Sequence, residues 1–369
     1  MTLLPRERII KTFKGERTDC IATYDIMHNA RLMEHLTGRK ITRTNAEDVA
    51  CSAVGKVLDL VRHFSVPFNL EPEIYTDEDG FVRKKEWWTM AVIERPFKTM
   101  DEVVKMVNKD IERIYECIGK RKVCKQAQFP VSLFGEDYEY LEEVRYNFKR
   151  VSEKMGGTVM VAPESCTLYY ALERYGYDWW VYLYADHKEL ALRLLDAYLD
   201  YEIARIDSFA DTSITPVSFT SDAIGVNNSL MFSPEFTFGV VLPRTKKIIE
   251  RWKSYGYYHI YFADGYKWPI LDEILSWGLI DAVDPFEPLA HMEVKKFRQM
   301  YPDVTICQPV DCQNLLYSGT PEQIRQAALK AIEDAGRSRI LIGSTSEVHP
   351  NVPVENALAM YEAARNYKF

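Results

Sequence analysis

The sequence predicts an α/β fold, a (β/α)8 barrel in which a closed parallel sheet is surrounded by helices. Six short apolar runs rich in β-forming residues occupy the second half of the chain, and each is followed by a helical pattern. Parallel neighbours require a long crossover, so this alternation predicts successive βαβ units. With 369 residues and 47% hydrophobic content, the chain is large enough for one such core. We therefore expect residues 1–369 to form a single barrel with an N-terminal helical and β-hairpin elaboration.

Carboxylates and small polar residues end these six runs. The runs are TVMVAPES, TPVSFTSD, YHIYFAD, IDAVDPFE, VTICQPVD and RILIGSTSE, which carry Glu164, Asp222, Asp264, the pair Asp284 and Glu287, Asp311 and Glu347. In a (β/α)8 barrel the C-terminal ends of all strands open onto one face, where the active site is built. The pattern therefore predicts an acidic pocket at that face.

The first 150 residues have a different pattern. CIATYD, residues 20–25, is typical of a first barrel strand, and an Asp79-Gly80 turn signal predicts an antiparallel hairpin or three-stranded meander over 73–97. We interpret 70–97 as an insertion that forms a lid or flank of the barrel. Apolar residues at three- and four-residue spacing predict helices over 6–16, 31–38, 46–64, 99–120 and 137–157.

Composition excludes several classes of protein. The formal net charge of −8 gives no electrostatic footprint for nucleic acid. No run reaches the roughly 18 to 20 apolar residues of a membrane helix, and the start is charged where a signal peptide is apolar. Seven cysteines without a CxxC pair are typical of reduced core thiols. We therefore expect a cytoplasmic protein that binds neither nucleic acid nor membrane.

Asp222 and Asp264 are the leading candidates for catalytic acids. Each ends a predicted strand shortly before a glycine, Gly225 or Gly265, so its carboxylate is expected at the barrel mouth. The alternative for Asp222 is a helix N-cap, and the alternative for Asp264 is a simple Asp-Gly turn. The density of acids favours an enzyme, because unpaired buried carboxylates are costly and cluster where pKa values are tuned.

Glu164 and Glu347 are further catalytic candidates, although the adjacent Ser165 and Ser346 could equally mark helix caps. His349 lies two residues after Glu347, so in an extended segment both side chains face one side and could share a metal ion. A hydrogen-bonded loop histidine is the alternative for His349.

Four more residues are candidates for substrate binding. Tyr24, Asp25 and His28 form a polar cluster at the end of the first predicted strand, where they could orient a substrate. Alternatively, His28 could cap the helix that starts near Asn29. Asp311, at the end of a later strand, is the fourth candidate.

Several motifs together resemble the uroporphyrinogen decarboxylase superfamily. They are RERIIKTFKGERTD, SDAIGVNNSLMFSPEFTFGVVLPRTKKI, the ADG at 263–265, GLIDAVDPFEP, CQPVDCQNLLYSGTPEQIRQ and STSEVHPNVPVENALAMYEAARNY. The resemblance covers nearly the whole chain. It implies a (β/α)8 barrel, a fold shared there by the decarboxylase and by corrinoid-dependent methyltransferases, and it favours a homodimer.

The sequence differs from both the decarboxylase and the thiol methyltransferases of the superfamily at residues that their activities require. A porphyrinogen with eight carboxylates requires several fixed cations, whereas Arg31 is the only early cation after the first strand and Asp25 lies closest to the strand end. Ser346 also stands where the decarboxylase has a histidine. The thiol methyltransferases of the superfamily bind zinc at places that correspond to Phe262, Asp264 and Ser346. Losing all three ligands argues against a thiol as methyl acceptor.

The remaining resemblance is to the O-demethylase-type methyltransferases of anaerobic metabolism, which pass a methyl group from a methylated, typically methoxylated, compound to a corrinoid protein. Such a donor needs an acid or a metal to withdraw charge from its heteroatom. A protonated carboxylic acid, or zinc held by Asp264, Glu347 and His349, would serve. No DxHxxG motif for a corrinoid occurs in the chain, so we expect a partner protein to carry it.

Two other classes of function stay open. A lyase or decarboxylase of a small or porphyrin-type carboxylic acid predicts a cation in the barrel mouth, for which Arg244 and Lys267 are candidates. A noncatalytic barrel that binds a ligand is the other class.

Overall fold

Eight parallel strands and a surrounding layer of helices make up most of the molecule. The structure, a computed structural model, describes residues 2–119 and 141–369, together with the strand segments 123–124 and 138–139. The strands are β1 (Ala22–Asp25), β2 (Leu60–Val61), β3 (Glu73–Thr76), β4 (Val82–Lys85), β5 (Met90–Glu94), β6 (Val123–Cys124), β7 (Tyr138–Glu139), β8 (Val159–Met160), β9 (Val217–Ser221), β10 (Tyr258–Phe262), β11 (Ala282–Asp284), β12 (Thr305–Cys307) and β13 (Ile340–Ile342).

Most of the helices connect successive strands of the barrel. They are α1 (Pro5–Lys14), α2 (Ala30–Thr37), α3 (Ala46–Val57), α4 (Met100–Gly119), α5 (Leu141–Lys154), α6 (Leu168–Tyr175), α7 (Tyr177–Asp186), α8 (Lys188–Phe209), α9 (Pro234–Phe236), α10 (Leu242–Ser254), α11 (Trp268–Ser276), α12 (Val294–Met300), α13 (Leu315–Ser318), α14 (Pro321–Asp334) and α15 (Val354–Arg365). None of the helices within the described ranges has the length and apolar composition needed to cross a bilayer.

The barrel strands follow the order β8-β2-β1-β13-β12-β11-β10-β9, and each pairs in parallel with its neighbours. Backbone hydrogen bonds join the two ends of this row, from Ala162 N to Val217 O at 2.8 Å and from Ser165 N to Phe219 O at 3.1 Å. The sheet is therefore closed, and the predicted (β/α)8 barrel is confirmed.

Alternate residues of each barrel strand face the interior. One buried cluster fills that interior and also includes Ile9 and Phe13 of α1. Its strand residues are Ala22, Tyr24, Leu60, Val159, Val161, Val217, Phe219, Ile260, Phe262, Ala282, Cys307 and Leu341. The intervening residues pack against the helices, as the period of two in a strand requires. This alternation decides which strand-end side chains reach the mouth of the barrel.

Local sequence signals explain several helix ends. Helix α2 begins after Asn29, whose side chain accepts a 2.9 Å hydrogen bond from Leu32 N, and ends at Gly38 with a φ of 68°. Helix α14 begins with a capping box, in which Thr320 and Gln323 each accept from the backbone of the other. Asn29 rather than His28 is thus the cap of α2.

The helix predicted over 46–64 is too long. Helix α3 ends at Val57, and Leu60 and Val61 form the second barrel strand, in which Leu60 pairs with Tyr24. A two-residue strand is too short to show the alternating pattern of a strand in the sequence. Its apolar residues therefore continued the helical spacing of α3, and the strand was not predicted. Two other predicted helices, 99–120 and 137–157, include positions that lie outside the described residues. These positions are 120, 137 and 140.

The predicted three-stranded meander is present as β3, β4 and β5. Its second turn, closed by a 2.8 Å hydrogen bond from Glu86 N to Thr89 O, carries Trp87 and Trp88 to the barrel mouth. The Trp88 ring lies 5.5 Å from the His28 ring and 5.6 Å from the His349 ring. The meander, hereafter the lid, thus contacts the ends of β1 and β13.

A buried ion cluster fastens the other end of the lid to the helices. Asp79, in the turn between β3 and β4, accepts hydrogen bonds from Lys109 at 2.8 Å and from Arg174 at 2.9 Å. Arg174 of α6 also donates to Asp110 of α4 at 2.7 Å, and the side chain of Asp110 is completely buried. The lid is therefore anchored at its base while its tip lies on the mouth.

Replacing Asp110 with alanine should lower the free energy of unfolding by about 3 to 5 kcal/mol, because it leaves the buried Arg174 without its closest partner. The matched Asp207→Ala breaks an exposed ion pair with Arg251 and should cost less than about 1 kcal/mol. Urea denaturation of both variants measures the difference. Equal losses in the two variants would contradict the anchoring role of the buried pair.

Candidate active site

Arg62, His63 and Glu164 form an ionic cluster at the ends of β2 and β8. Glu164 Oε2 lies 3.3 Å from Arg62 Nη2 and 3.0 Å from His63 Nε2. Burial acts to raise the pKa of Glu164, but the charge of Arg62 and the contact with His63 outweigh it and lower that pKa to about 2. Burial lowers the pKa of His63. Near neutral pH, Glu164 is therefore ionised and His63 is neutral.

The guanidinium group of Arg62 lies across the interior of the barrel. Its central carbon is 3.9 Å from the centre of the Phe262 ring and 4.5 Å from that of Phe219, both of which face inward. Such contacts with aromatic faces are favourable for arginine and hold its plane in one orientation. Arg62 therefore brings a fixed positive charge to the floor of the mouth.

A second cluster surrounds Lys267 beyond the ends of β10 and β11. Lys267 is completely buried, and its Nζ donates a 2.6 Å hydrogen bond to the carbonyl of Pro285. Burial lowers the pKa of Lys267 to about 8, although the nearby acids Glu287, Asp264 and Asp284 oppose that shift. The lysine is thus largely protonated at neutral pH and loses its charge in mild alkali.

Asp284 is the buried acid of this second cluster. Tyr24 donates a 3.2 Å hydrogen bond to its Oδ2, whereas its Oδ1 has no hydrogen-bond partner among the described residues. Burial raises the pKa of Asp284 to about 7, against the charges of Arg62 and Lys267. Asp284 therefore exchanges its proton near neutral pH. The structure places Tyr24 inside the barrel, as a substrate-binding role requires.

Asp264 presents its carboxyl group to solvent inside the mouth. Its side chain makes no hydrogen bond or ion pair within the described part of the chain, although protein surrounds it on the remaining sides. Burial raises its pKa, and the charges of Arg62 and Lys267 oppose that shift. Gly265 follows with a φ of 75°, and a Cβ there would lie 2.7 Å from Val226 O. The glycine is thus required for the turn that presents Asp264.

Glu287 and Glu347 complete the acidic rim. Glu287 accepts a hydrogen bond from the backbone of Gly265, and burial raises its pKa. Glu347 lies between two histidines, with 3.2 Å to His28 Nδ1 and 3.5 Å to His349 Nδ1. Burial acts to raise the pKa of Glu347, but the two histidines outweigh it and the net shift is downward.

An open cavity of about 670 Å³ lies beside this rim and beneath the lid. It is lined by His349, by Trp87 and Trp88 of the lid tip, by Cys312 from the loop after β12 and by Tyr317 of α13. Its volume is within the range of sites for small molecules. The cavity is bordered by the segments that follow β1, β12 and β13, which contribute Ala30, Cys312 and His349.

Asp222 lies on the outer face of its strand. Val217 and Phe219 of β9 face the interior, so Asp222 falls in the alternate, outward register. Its Oδ2 accepts a 2.7 Å hydrogen bond from Thr245 of α10, and burial raises its pKa to about 7. This placement between strand and helix favours a structural role over the predicted catalytic one.

Asp25 is also directed away from the mouth. It accepts hydrogen bonds from the Ser344 hydroxyl at 2.7 Å, from Ser344 N at 2.9 Å and from Tyr361 of α15 at 3.1 Å. Burial raises its pKa to about 7. Its neighbour Tyr24 has the inward register, so the predicted cluster of Tyr24, Asp25 and His28 is divided between two faces of β1.

Asp311 caps a helix. Its carboxylate accepts hydrogen bonds from Gln313 N at 2.9 Å and Leu315 N at 3.1 Å, just before α13. Carboxylates at this position satisfy backbone donors that a helix start leaves free. The contacts favour this structural role over the substrate contact predicted for Asp311.

The predicted zinc ligands are not gathered into a ready-made site. No group of three or more His, Cys, Asp or Glu side chains in the described ranges is arranged to hold a metal ion, and this includes Asp264, Glu347 and His349. Glu347 and His349 are neighbours, as their spacing predicted, but Asp264 belongs to the cluster around Lys267. The donor set thus does not fit a three-ligand zinc centre.

The two cations suggested for a lyase, Arg244 and Lys267, lie in different parts of the structure. Arg244 pairs with Asp196 at 2.6 Å on the outer helices, whereas Lys267 lies inside the barrel. Arg62 and His63 were missed because they follow the concealed strand β2. The only sequence signal for them was their position after the apolar run that ends at Val61.

The chain resembles known proteins in both sequence and fold. The family model for uroporphyrinogen decarboxylase (URO-D) matches residues 147–367, which is more than half of the chain. The fold is similar to that of a methyltransferase from Methanosarcina mazei, with a TM-score of 0.64 and 16% identity over 98% of each chain. That identity shows a common fold alone. No protein of curated function matches the sequence significantly.

Asp222→Asn should make the fold less sensitive to pH. A carboxyl whose pKa rises from 3.8 in the unfolded chain to about 7 in the fold destabilises the fold increasingly as pH rises through that interval. The asparagine removes this penalty, so its stability relative to the wild type should improve by about 2 to 3 kcal/mol between pH 5 and pH 8. Urea denaturation at both pH values measures the change.

The matched control is Asp207→Asn, which alters an exposed carboxyl and should show no such pH-dependent gain. A variant of Asp222 whose stability followed pH like that of the wild type would contradict the buried, outward placement.

Proposed function

The chain belongs to the uroporphyrinogen decarboxylase (URO-D) family, and from this premise we propose that it is a methyltransferase that demethylates a small methoxylated compound. The methyl group passes to a corrinoid that a partner protein carries. The observation that carries the proposal is the carboxyl group of Asp264, which is accessible in the mouth, unpaired among the described residues and raised in pKa.

The chemistry requires a proton donor. When the bond between the methyl carbon and the ether oxygen breaks, the oxygen leaves as an alcohol or phenol only if it gains a proton. Asp264 supplies that proton, and its carboxylate later recovers one from solvent. A corrinoid bound to a partner protein would supply the nucleophile that accepts the methyl group. A carboxyl whose pKa is raised by burial is suited to this task because it keeps its proton to a higher pH than an exposed carboxyl does.

The charged groups around Asp264 are suited to the transfer of its proton and to the carboxylate that this transfer leaves behind. Arg62 and Lys267 act on it electrostatically and would stabilise the carboxylate that remains after proton transfer. Asp284, with a pKa of about 7, and its partner Tyr24 form a hydrogen-bonded pair beside the same lysine. The site therefore combines a proton donor with fixed positive charge in a largely buried setting.

The cavity beside the rim is bordered by Trp87 and Trp88 of the lid, and the described residues that line it do not include Arg62 or Asp264. Arg62 lies inside the barrel against Phe262. We expect the small substrate to bind inside the barrel and the partner's cofactor to approach from the mouth. The predicted homodimer and the identity of the corrinoid partner remain predictions.

A decarboxylase of a small carboxylic acid is the second candidate. The observation in its favour is that two cations, Arg62 and Lys267, lie inside the barrel, where they could hold a carboxylate that is lost as carbon dioxide. Four acids, Glu164, Asp264, Asp284 and Glu287, surround these cations, which disfavours the eight carboxylates of a porphyrinogen.

The proposal predicts that Asp264→Asn loses methyl transfer. Purified protein is mixed with a set of methoxylated acids and alcohols and with free cob(I)alamin, and methylcobalamin is followed by its absorbance. Loss of a positioned proton donor should reduce the rate by about 10² to 10⁴-fold. The matched Asp207→Asn, on the outer surface, should retain the wild-type rate.

An Asp264→Asn rate within threefold of the wild type would remove Asp264 from the mechanism. Release of carbon dioxide from a carboxylic acid, without methylcobalamin from any donor, would establish the decarboxylase instead.

The rate of methyl transfer should fall as pH rises. Only the protonated form of Asp264 donates, and its pKa is raised, so activity should be full below that pKa and decline through it. The residual rate of Asp264→Asn should lack this decline. Initial rates from pH 5 to pH 9 test the profile, and a wild-type rate that increases over this range would contradict an acid donor.

A further inference from the structure

Arg62 has more hydrogen-bond donors than the described residues use. Within the described part of the chain, its guanidinium group makes one hydrogen bond, from Nη2 to Glu164 Oε2 at 3.3 Å. Its Nε is buried and finds no hydrogen-bond partner there. An arginine carries five N–H donors, and buried donors are almost always satisfied in native proteins. The unused donors therefore indicate a partner that is brought by a ligand.

The contacts of Arg62 hold these donors in a fixed orientation. The side chain is 11% exposed, its plane lies against Phe219 and Phe262, and Glu164 holds one end. A planar fork that is already immobilised loses little conformational entropy when it binds. Arg62 is thus prepared to receive a ligand group of matching shape.

The geometry points to a carboxylate of the substrate as the missing partner of Arg62. The substrate is then a methoxylated carboxylic acid rather than a neutral ether. The methoxyl group in this inference rests on the proposed function. The carboxylate rests only on the contacts of Arg62.

The shape of the donor group selects a carboxylate. Two parallel N–H groups of a guanidinium match the two oxygens of a carboxylate, and such paired, charge-assisted hydrogen bonds are among the strongest in proteins. A phosphate dianion would place more negative charge against Glu164, Asp264 and Asp284. A single carboxylate is better tolerated, because burial raises the pKa of Asp264 and raises that of Asp284 to about 7, which lessens the negative charge around the ligand.

Arg62 and Asp264 are close enough to interact electrostatically. The guanidinium lies on the ring of Phe262, and Asp264 follows Phe262 by two residues with the same inward register. The charge of Arg62 also acts on Asp264. A carboxylate held by Arg62 would therefore orient the rest of a small substrate along the floor toward Asp264.

Isothermal titration calorimetry tests the inference with paired probes. The acids 4-methoxybenzoate and methoxyacetate are compared with their neutral amides, 4-methoxybenzamide and methoxyacetamide. We expect at least one acid to bind wild-type protein about tenfold or more tightly than its amide, since paired hydrogen bonds between charged groups are stronger than those to a neutral amide. Arg62→Lys, which keeps the charge but removes the fork, should lose this preference, because binding of the acid falls toward that of its amide.

The controls separate loss of the ligand contact from loss of the fold. Arg62→Lys retains a cation beside the buried Glu164, and circular dichroism confirms that it is folded. Arg251→Lys alters an exposed arginine paired with Asp207 and should leave acid binding unchanged. The inference is overturned if no acid binds more tightly than its amide, or if Arg62→Lys binds the acids as well as the wild type does.

This outcome is distinguishable from failure of the proposed function. An acid preference that depends on Arg62, without methyl transfer to cob(I)alamin, supports the carboxylate contact and removes the methyltransferase. Equal demethylation of acids and amides supports the methyltransferase and removes the carboxylate contact.

Discussion

Closure of eight parallel strands is the constraint on which the site depends. Each strand has two buried faces, and closure turns one toward the interior and the other toward the helices. A shift of one position therefore moves a strand-end side chain from the mouth to the helix layer. Tyr24 and Asp25 are adjacent in sequence, yet one contacts Asp284 inside the barrel and the other contacts Tyr361 of α15. The same rule includes Asp264 in the pocket and excludes Asp222.

Electrostatics inside the barrel follow from this arrangement. The interior removes water from the ionisable groups, so the outcome for each group depends on its nearest charge. Glu164 is ionised because Arg62 and His63 contact it directly. Asp264 and Asp284 lack such contacts, and burial raises their pKa values. Acids that arise from one sequence pattern thereby acquire different protonation states, which is what acid catalysis with a compensating cation requires.

The lid shows how a remote segment contributes to the mouth. Asp79 fastens its base through Lys109 and Arg174, whereas the opposite turn brings Trp87 and Trp88 against the strand ends. Because the base is held by buried ion pairs and the tip by aromatic contacts, the lid forms one wall of the cavity without sharing a strand with the barrel. The cavity is of small-molecule size, and the lid that borders it also contacts His28 and His349, the neighbours of Glu347 on the acidic rim.

The sequence by itself determined the alternation of strands and helices, the meander and the family, because apolar periodicity, turn residues and motifs are local properties. It also located Glu164, Asp264 and Glu347 at strand ends. Only the tertiary structure decided which acids face inward, because both faces of a barrel strand are apolar and buried, so their alternation gives no direction. It also revealed Arg62 and His63, because the two-residue strand before them is held by hydrogen bonds to its neighbours rather than by its own composition.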